Sequence, residues 1–528
     1  MIRKKTGSIL LIMTLLFGLF GLAGCKAPAD EEPVNEDLQI QQEIMESNRK
    51  ADQDLWQEIN KGDHTFQDPY IAPDPFGVSP LTGVVGFKNT EPVGVMVTIP
   101  GDVPTDSVTY ELAAAKEHMV PIIGLYPNRI NTVTLSLIDA NGTTLDEKEI
   151  EFETTALPET LENAVEITHA EAEPIPGLTL VSGGFMRHPY MYDTSGMIRW
   201  YLEVETDAHG YFPAENGRFF LIGGYGSIPT ETRDYARFVF DMDYLGRLHK
   251  VYDIPGGIHH EIVEKEPGGN LLILGNSLEG HVEDTIAEVH RETGEIVREI
   301  NFADYISGTK YNERYDWAHI NSLSYDRSDG TMILSPRDVS SVVKIDWDKE
   351  EILWILSDPE MWEGTAYESY VLQPVGDTMW HYEQHAAFEI HSDIDNDPDT
   401  LDLMLFDNRT IRNELNDVPI KGDENRSSIT QYAIDEEAKT VVQVRRFPNS
   451  HAIITSNFEL YPEKDRLLAN HGSVRPNADS PLSDMYGEIF EYEYSTGKLL
   501  HSVRLRYGFY RAHRITLDGN ASARPMEN

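Results

Sequence analysis

Between residues 83 and 155 apolar and polar positions alternate in short runs separated by turn residues. Residues 93–99 (VGVMVTI), 107–112, 132–138 and, after an Asn141-Gly142 turn, 147–152 keep the period of two that gives a strand one apolar face. These runs predict a small antiparallel β-sandwich. Ahead of them, residues 41–61 set Ile44, Met45, Leu55, Trp56 and Ile59 among helix-forming residues. That spacing predicts a short, moderately amphipathic helix packed on its own body rather than on a second subunit.

Beyond residue 165 one pattern recurs: a turn of the Asp-x-x-Gly type followed by an apolar strand. It stands at 192–200 and 241–248, and in looser form at 290–297, 345–354, 433–442 and 494–500. Units roughly 50–60 residues apart, with one insertion near 393–428, predict a six-bladed β-propeller with four-stranded blades. The expected fold class is therefore all-β: a six-bladed β-propeller preceded by the β-sandwich and the short N-terminal helix. Its inner strands would point their ends into one central channel, where residues distant in sequence meet.

The start of the chain reads as an address. Arg3, Lys4 and Lys5 precede an apolar run from Ile9 to Leu22, which ends in Leu22-Ala23-Gly24-Cys25. That ending has the form of a bacterial lipobox, so Cys25 is expected to carry a lipid and tether the protein to a membrane outside the cytoplasm. The acidic, Pro-containing segment 26–36 would be the tether. The expected organisation is 1–25 signal peptide and lipobox, 26–75 tether and helix, 76–160 sandwich and 165–528 propeller. Cys25 is the sole cysteine, which leaves no internal disulfide and, once acylated, no thiol chemistry. With 89 acidic against 43 basic residues in 528, the formal charge of −46 argues against a nucleic-acid partner.

Candidate chemistry centres on 316–348. This stretch places His319, Asn321 and Arg337 in strand-like surroundings, with an Asp329-Gly330 turn between the His-bearing and Arg-bearing runs. Polar groups at a buried strand end are costly without a task. Similar residues recur where other inner strands are expected: 257–262 (GIHHEI), 335–337 (SPR), 380–386 (WHYEQHA) and 469–473 (ANHGS). One such His is usually structural, whereas a set in one register suggests a shared, cationic pocket. Arg offers a planar fork of donors and imidazole can donate or accept, so the set suits an anion with tetrahedral oxygens. The residues alone leave two other readings open, a metal-dependent hydrolase or lyase and a non-enzymatic anion-binding propeller.

At HHE (259–261), DWAHINS (316–322), SPR (335–337) and QH (Gln384, His385) the sequence resembles the bacterial arylsulfate sulfotransferases, which need no nucleotide sulfate donor. The resemblance implies transfer of a sulfuryl group from an aryl sulfate to a phenol by a ping-pong route, without a cofactor. It makes His385 the nucleophile that becomes a sulfohistidine. His260, His319 and Arg337 become its catalytic partners, with Asn321 beside them. His259 is the alternative to its neighbour His260, and His319 either holds a sulfuryl oxygen or moves the phenol proton. Trp380 and Tyr382, with Trp317 and Phe388, are candidate walls of an aryl pocket. Members of the family pair as dimers, which makes a homodimer possible here, and some contain a disulfide that this chain cannot form.

Overall fold

The computed structural model describes residues 36–182, 188–204, 206–231, 233–412, 417–419, 426–476 and 480–526. The expected signal peptide, Cys25 and nearly all of the tether lie outside the described residues. The helix runs over Glu36–Asn60, 25 residues, longer than expected. No Pro or Gly interrupts 36–60, and Glu36 and Asp37 in its first turn complement the helix dipole. Leu55 and Ile59 are buried in the core they share with the first sheet. Asp52 meets the buried Arg247 guanidinium at 2.6 Å and accepts from Met526 N at 2.9 Å, so one ion pair joins the helix, a propeller turn and the C-terminal tail. The helix does pack on its own body.

Next come Tyr70–Pro73, Thr82–Ile99, Val108–Ile123, Ile130–Ile138 and Thr144–Glu153, in one antiparallel five-stranded sheet. Thr82–Ile99 pairs along most of its length with Val108–Ile123, by its first half with Tyr70–Pro73 and by its second half with Ile130–Ile138. The strands predicted at 93–99 and 107–112 are thus parts of much longer ones.

The rest of the described chain is the series of sheets of a β-propeller. Ile320–Asp326, Thr331–Pro336, Val342–Asp346 and Glu351–Leu356 form one four-stranded unit in chain order, with Asp329-Gly330 in its first hairpin as expected. In a seven-stranded sheet, Leu248–Glu264 pairs with Asp234–Met242 mainly through its first half and with Leu271–Gly275 through its second. It thus serves as the last strand of one unit and the first of the next. The crossing is made at Gly256-Gly257: a Cβ on Gly256 would lie 2.5 Å from Asn276 O, and Gly257 has φ +78°. The recurring sequence unit turns out to be the hairpin between third and fourth strands. Its left-handed position is Gly196, Gly246, Gly294 and Gly497 in four cases but Glu350 and Lys439 in two, which explains why those two matched loosely.

The first and last strands of the propeller region close the ring. Val165–Ala170 adds an outer strand to Lys498–Leu505, and Arg511–Ile515 pairs with Leu178–Ser182 as the first strand of the opening unit.

Candidate active site

The first strands of successive units bring the His motifs together at irregular strand ends, and the SPR motif joins them from the end of the second strand Thr331–Pro336. Pairing slips between Ile258 and Ile262, between Ile320 and Leu323 and between His385 and Phe388, so each motif sits at a bulge that re-aims its side chains. His260 (φ 54°), Glu283 (55°), His319 (49°), Glu383 (49°) and Thr455 (61°) all hold left-handed backbone. Such strain persists only where the surroundings enforce it, and it concentrates at functional sites.

His385 is 3 % exposed. Its Nε2 accepts from the Thr455 amide at 3.2 Å, and an amide can only donate. The ring proton therefore sits on Nδ1, which donates to Asn408 Oδ1 at 2.8 Å. Asn408 is fixed in turn, since its Nδ2 donates to Ala452 O at 2.8 Å and Thr455 O at 3.3 Å. Burial, reinforced by Arg337, holds the His385 pKa well below the usual histidine value, so the ring is neutral with its lone pair on Nε2.

The tautomers of the adjacent histidines follow by the same reasoning. His259 Nε2 donates to Gly275 O at 2.9 Å, so its Nδ1 accepts from His260 Nδ1 at 3.0 Å. His260 is thus left with its lone pair on Nε2, and burial, then His209, keeps it neutral. Of the two, His260 is the one in the cluster: its ring lies 4.9 Å from His319, 4.1 Å from His209 and 5.7 Å from Tyr510.

His319 has the opposite character. Its Nδ1 lies 2.7 Å from Asp316 and 3.0 Å from Glu283. Burial opposes its charge, but these two carboxylates prevail and raise its pKa to about 10. The ring is an imidazolium, and Nε2–H has no protein partner among the described residues.

Arg337 is buried with its NH1 on Asp338 at 3.1 Å and its NH2 on Glu383 at 2.7 Å. This corrects the expected cationic pocket: the cations are matched by buried carboxylates, because an unpaired charge at this depth would be too costly to retain. Asn321 Nδ2 donates to Gln384 O at 2.7 Å, and Gln384 Nε2 donates to Ser335 Oγ at 2.9 Å and Ser341 O at 2.7 Å. The DWAHINS, SPR and QH motifs are thus bonded to one another across neighbouring sheets.

The expected aryl walls fare differently. Trp317 is fully buried, stacked on Phe302 at 5.5 Å, and is core. Trp380 packs against the core around Trp354, and the Tyr382 hydroxyl donates to Asp358 at 3.2 Å. Phe388 lines a cavity of about 410 Å³ further along the inner strands, with Phe212, Glu261, Leu323 and Arg511. Between that cavity and the histidines, Arg511 pairs with Glu261 at 2.7 Å and donates to Asn321 O at 3.2 Å, while Tyr510 OH donates to His260 O and Asn321 O, both at 3.2 Å. His471 donates to Ser450 O at 2.8 Å, lies between Phe406 and Phe490, and is a core histidine. Glu283, Asp316, Asn408 and Thr455 were not among the residues expected from the sequence. Asp316 stood inside a quoted motif, and the others carried no signal beyond their type.

A model of the arylsulfotransferase family (ASST) matches residues 164–511, and one of the arylsulfotransferase Ig-like domain matches residues 70–155. The chain belongs to the arylsulfotransferase family. As an arylsulfotransferase it is 23% identical, over 81% of its length and 88% of the relative's, to arylsulfate sulfotransferase AssT of Lelliottia amnigena. To arylsulfate sulfotransferase AssT of Escherichia coli O6:H1 strain CFT073 it is 24% identical, over 58% of its length and 61% of the relative's. The solved structure of Pseudomonas aeruginosa periplasmic gluconolactonase, PpgL, matches 79% of the arylsulfotransferase and 97% of that chain at 12% identity with a TM-score of 0.35, too remote for any argument. The enzyme is an aryl sulfotransferase, with an Ig-like domain ahead of a β-propeller.

Proposed function

We propose that the enzyme works by a ping-pong route in which His385 carries the sulfuryl group as a sulfohistidine between an aryl sulfate donor and a phenolic acceptor. The observation that supports this most directly is the His385 tautomer: a buried neutral imidazole with Nδ1–H tied to Asn408 and a lone pair on Nε2 is an activated nucleophile. In the first half-reaction Nε2 gives up its bond from the Thr455 amide and attacks sulfur, the S–N bond forms, and the S–O bond to the aryl group breaks. The departing phenolate takes the Nε2 proton of His319. In the second half the acceptor phenol loses its proton to the now neutral His319 and its oxygen attacks sulfur. The S–N bond breaks and both histidines return to their starting state.

Sulfuryl transfer, like phosphoryl transfer, spreads charge over three equatorial oxygens, so positioned donors carry much of the catalysis. The charges of Arg337 and His319 and the Thr455 N–H suit those oxygens. Loss of one such donor would raise the barrier by about 3–4 kcal/mol. A neutral His260 with its lone pair on Nε2 suits accepting a proton better than donating to an oxyanion. The sheets fit a six-bladed ring with Leu248–Glu264 shared between two blades, and the lipobox ending at Cys25 supports a lipid-tethered enzyme outside the cytoplasm.

The test is incubation of metal-stripped enzyme with a chromogenic aryl sulfate, with and without phenol, followed by peptide mass spectrometry. Phenol-dependent turnover and a labile sulfuryl adduct on the His385 peptide, absent in His385→Ala, are expected. Turnover that survives in His385→Ala would defeat the proposal.

A further inference from the structure

We propose that Glu283 is a positioning residue of the transfer reaction, acting through His319 to govern protonation of the leaving phenolate. Glu283 lies in the loop between strands Leu271–Gly275 and Thr285–Val289, and its side chain is 1 % exposed. One face of the carboxylate meets imidazole: Oε2 is 3.0 Å from His319 Nδ1 and 3.4 Å from His260 Nδ1. The other face is held in place, because Oε1 accepts from Tyr235 OH at 2.8 Å and from the Arg233 guanidinium. Arg233 and Tyr235 come from the neighbouring strand region and touch neither His319 nor His385 in these bonds. They act as the support that keeps Glu283 charged and still at full burial.

The consequence falls on one atom. Asp316 accepts from His319 Nδ1–H and Glu283 Oε2 lies 3.0 Å from the same nitrogen, so Nδ1 faces both carboxylates and Nε2–H is left as the proton to be given. Among the described residues the groups facing His319 include these two carboxylates, which favour its charge, and the neutral rings of His260 and His385, which do not. Glu283 stands on the Nδ1 side of the imidazole, away from the Nε2–H given to the phenolate, and that place separates a positioning role from a catalytic one.

This inference rests on His319 as proton donor to the leaving phenolate while His385 takes the sulfuryl group, and the experiment keeps the two apart. Wild type, Glu283→Gln and Glu283→Asp of the full chain are compared with 4-nitrophenyl sulfate, whose leaving group needs little protonation, and with phenyl sulfate, whose leaving group needs it. For Glu283→Gln a fall in kcat/KM of about 30-fold with phenyl sulfate is expected, against less than about threefold with 4-nitrophenyl sulfate. The alkaline limb of the phenyl sulfate profile should move to lower pH, and Glu283→Asp should recover part of both effects. Equal losses on the two donors with an unmoved alkaline limb would overturn the inference. If circular dichroism shows Glu283→Gln unfolded, Glu283→Asp decides, since a wild-type limb and wild-type donor selectivity in it would overturn the inference equally. Failure of the carrier reading shows elsewhere, as absence of a sulfuryl adduct on His385 in wild type.

Discussion

Asn408 offers the sharpest perturbation, because it accepts the proton on His385 Nδ1 and also holds the carbonyl of Thr455, whose amide meets Nε2. Moving that proton to Nε2 would forfeit the bond to Asn408 and set Nε2–H against the Thr455 amide. Two hydrogen bonds at about 0.5–1.5 kcal/mol each give a preference of about 1–3 kcal/mol. That is roughly five- to 150-fold in favour of the nucleophilic tautomer, at about 1.4 kcal/mol per decade. Asn408→Leu removes one of the two bonds and leaves Nδ1–H buried without an acceptor, so adduct formation should slow about tenfold. Asn408→Asp keeps the acceptor while losing the donors to Ala452 O and Thr455 O; it should lose stability but recover most of the rate. Rapid-quench mass spectrometry of the His385 peptide measures the rate, and ¹⁵N chemical shifts of the ring report the tautomer. A folded Asn408→Leu that forms adduct at the wild-type rate would refute the reasoning, as would an Asn408→Asp no faster than Asn408→Leu.

Stability should fall on the acid side: burial holds His259 and His381 down to about 4 and about 3, so below the unfolded value of about 6.5 the unfolded chain binds more protons. His381→Gln should flatten the fall in Tm between about pH 6.5 and 3, and an unchanged slope would count against this account. His319 works in the other direction, because its stabilising effect is complete below about pH 6.5 and is lost as pH rises through about 10. Asp316→Asn should therefore lessen the alkaline decline in Tm, and an unaltered decline would show that the pair is not its source. Arg247→Leu strands the carboxylates of Asp52 and Asp243 in the core, a loss of about 3–5 kcal/mol. It should lower Tm and expose the Glu36–Asn60 amides to hydrogen exchange while sparing transfer; protection equal to wild type would refute the clamp.

The propeller was legible because its third hairpin needs a left-handed residue, and Gly at 196, 246, 294 and 497 marks the period. His319 and Arg337 were legible because polar residues stood out in apolar strands, whereas His385 was singled out by the resemblance of its QH motif. What surrounds them was not. Glu283 is one of 89 acidic residues in a loop, with nothing in its neighbours to show that it is buried. Thr455 contributes a backbone amide, which has no sequence signature. Without these partners the cluster read as uniformly cationic, whereas burial demanded carboxylates at Asp338, Glu383, Asp316 and Glu283. Trp317, a candidate wall, is core, and the sequence alone could not decide it: a large aromatic beside a functional His looks alike whether it faces substrate or core.

The first strand of the opening unit, Arg511–Ile515, comes from the end of the chain, and the adjacent Tyr510 ties the His260 and Asn321 carbonyls together. During synthesis the histidines at 260, 319 and 385 are all made before the strand that completes their surroundings. A nascent chain can therefore hold every proton-transferring side chain and still have no working centre until residues 510–515 leave the ribosome. A stop before codon 511 would abolish the enzyme rather than shorten it.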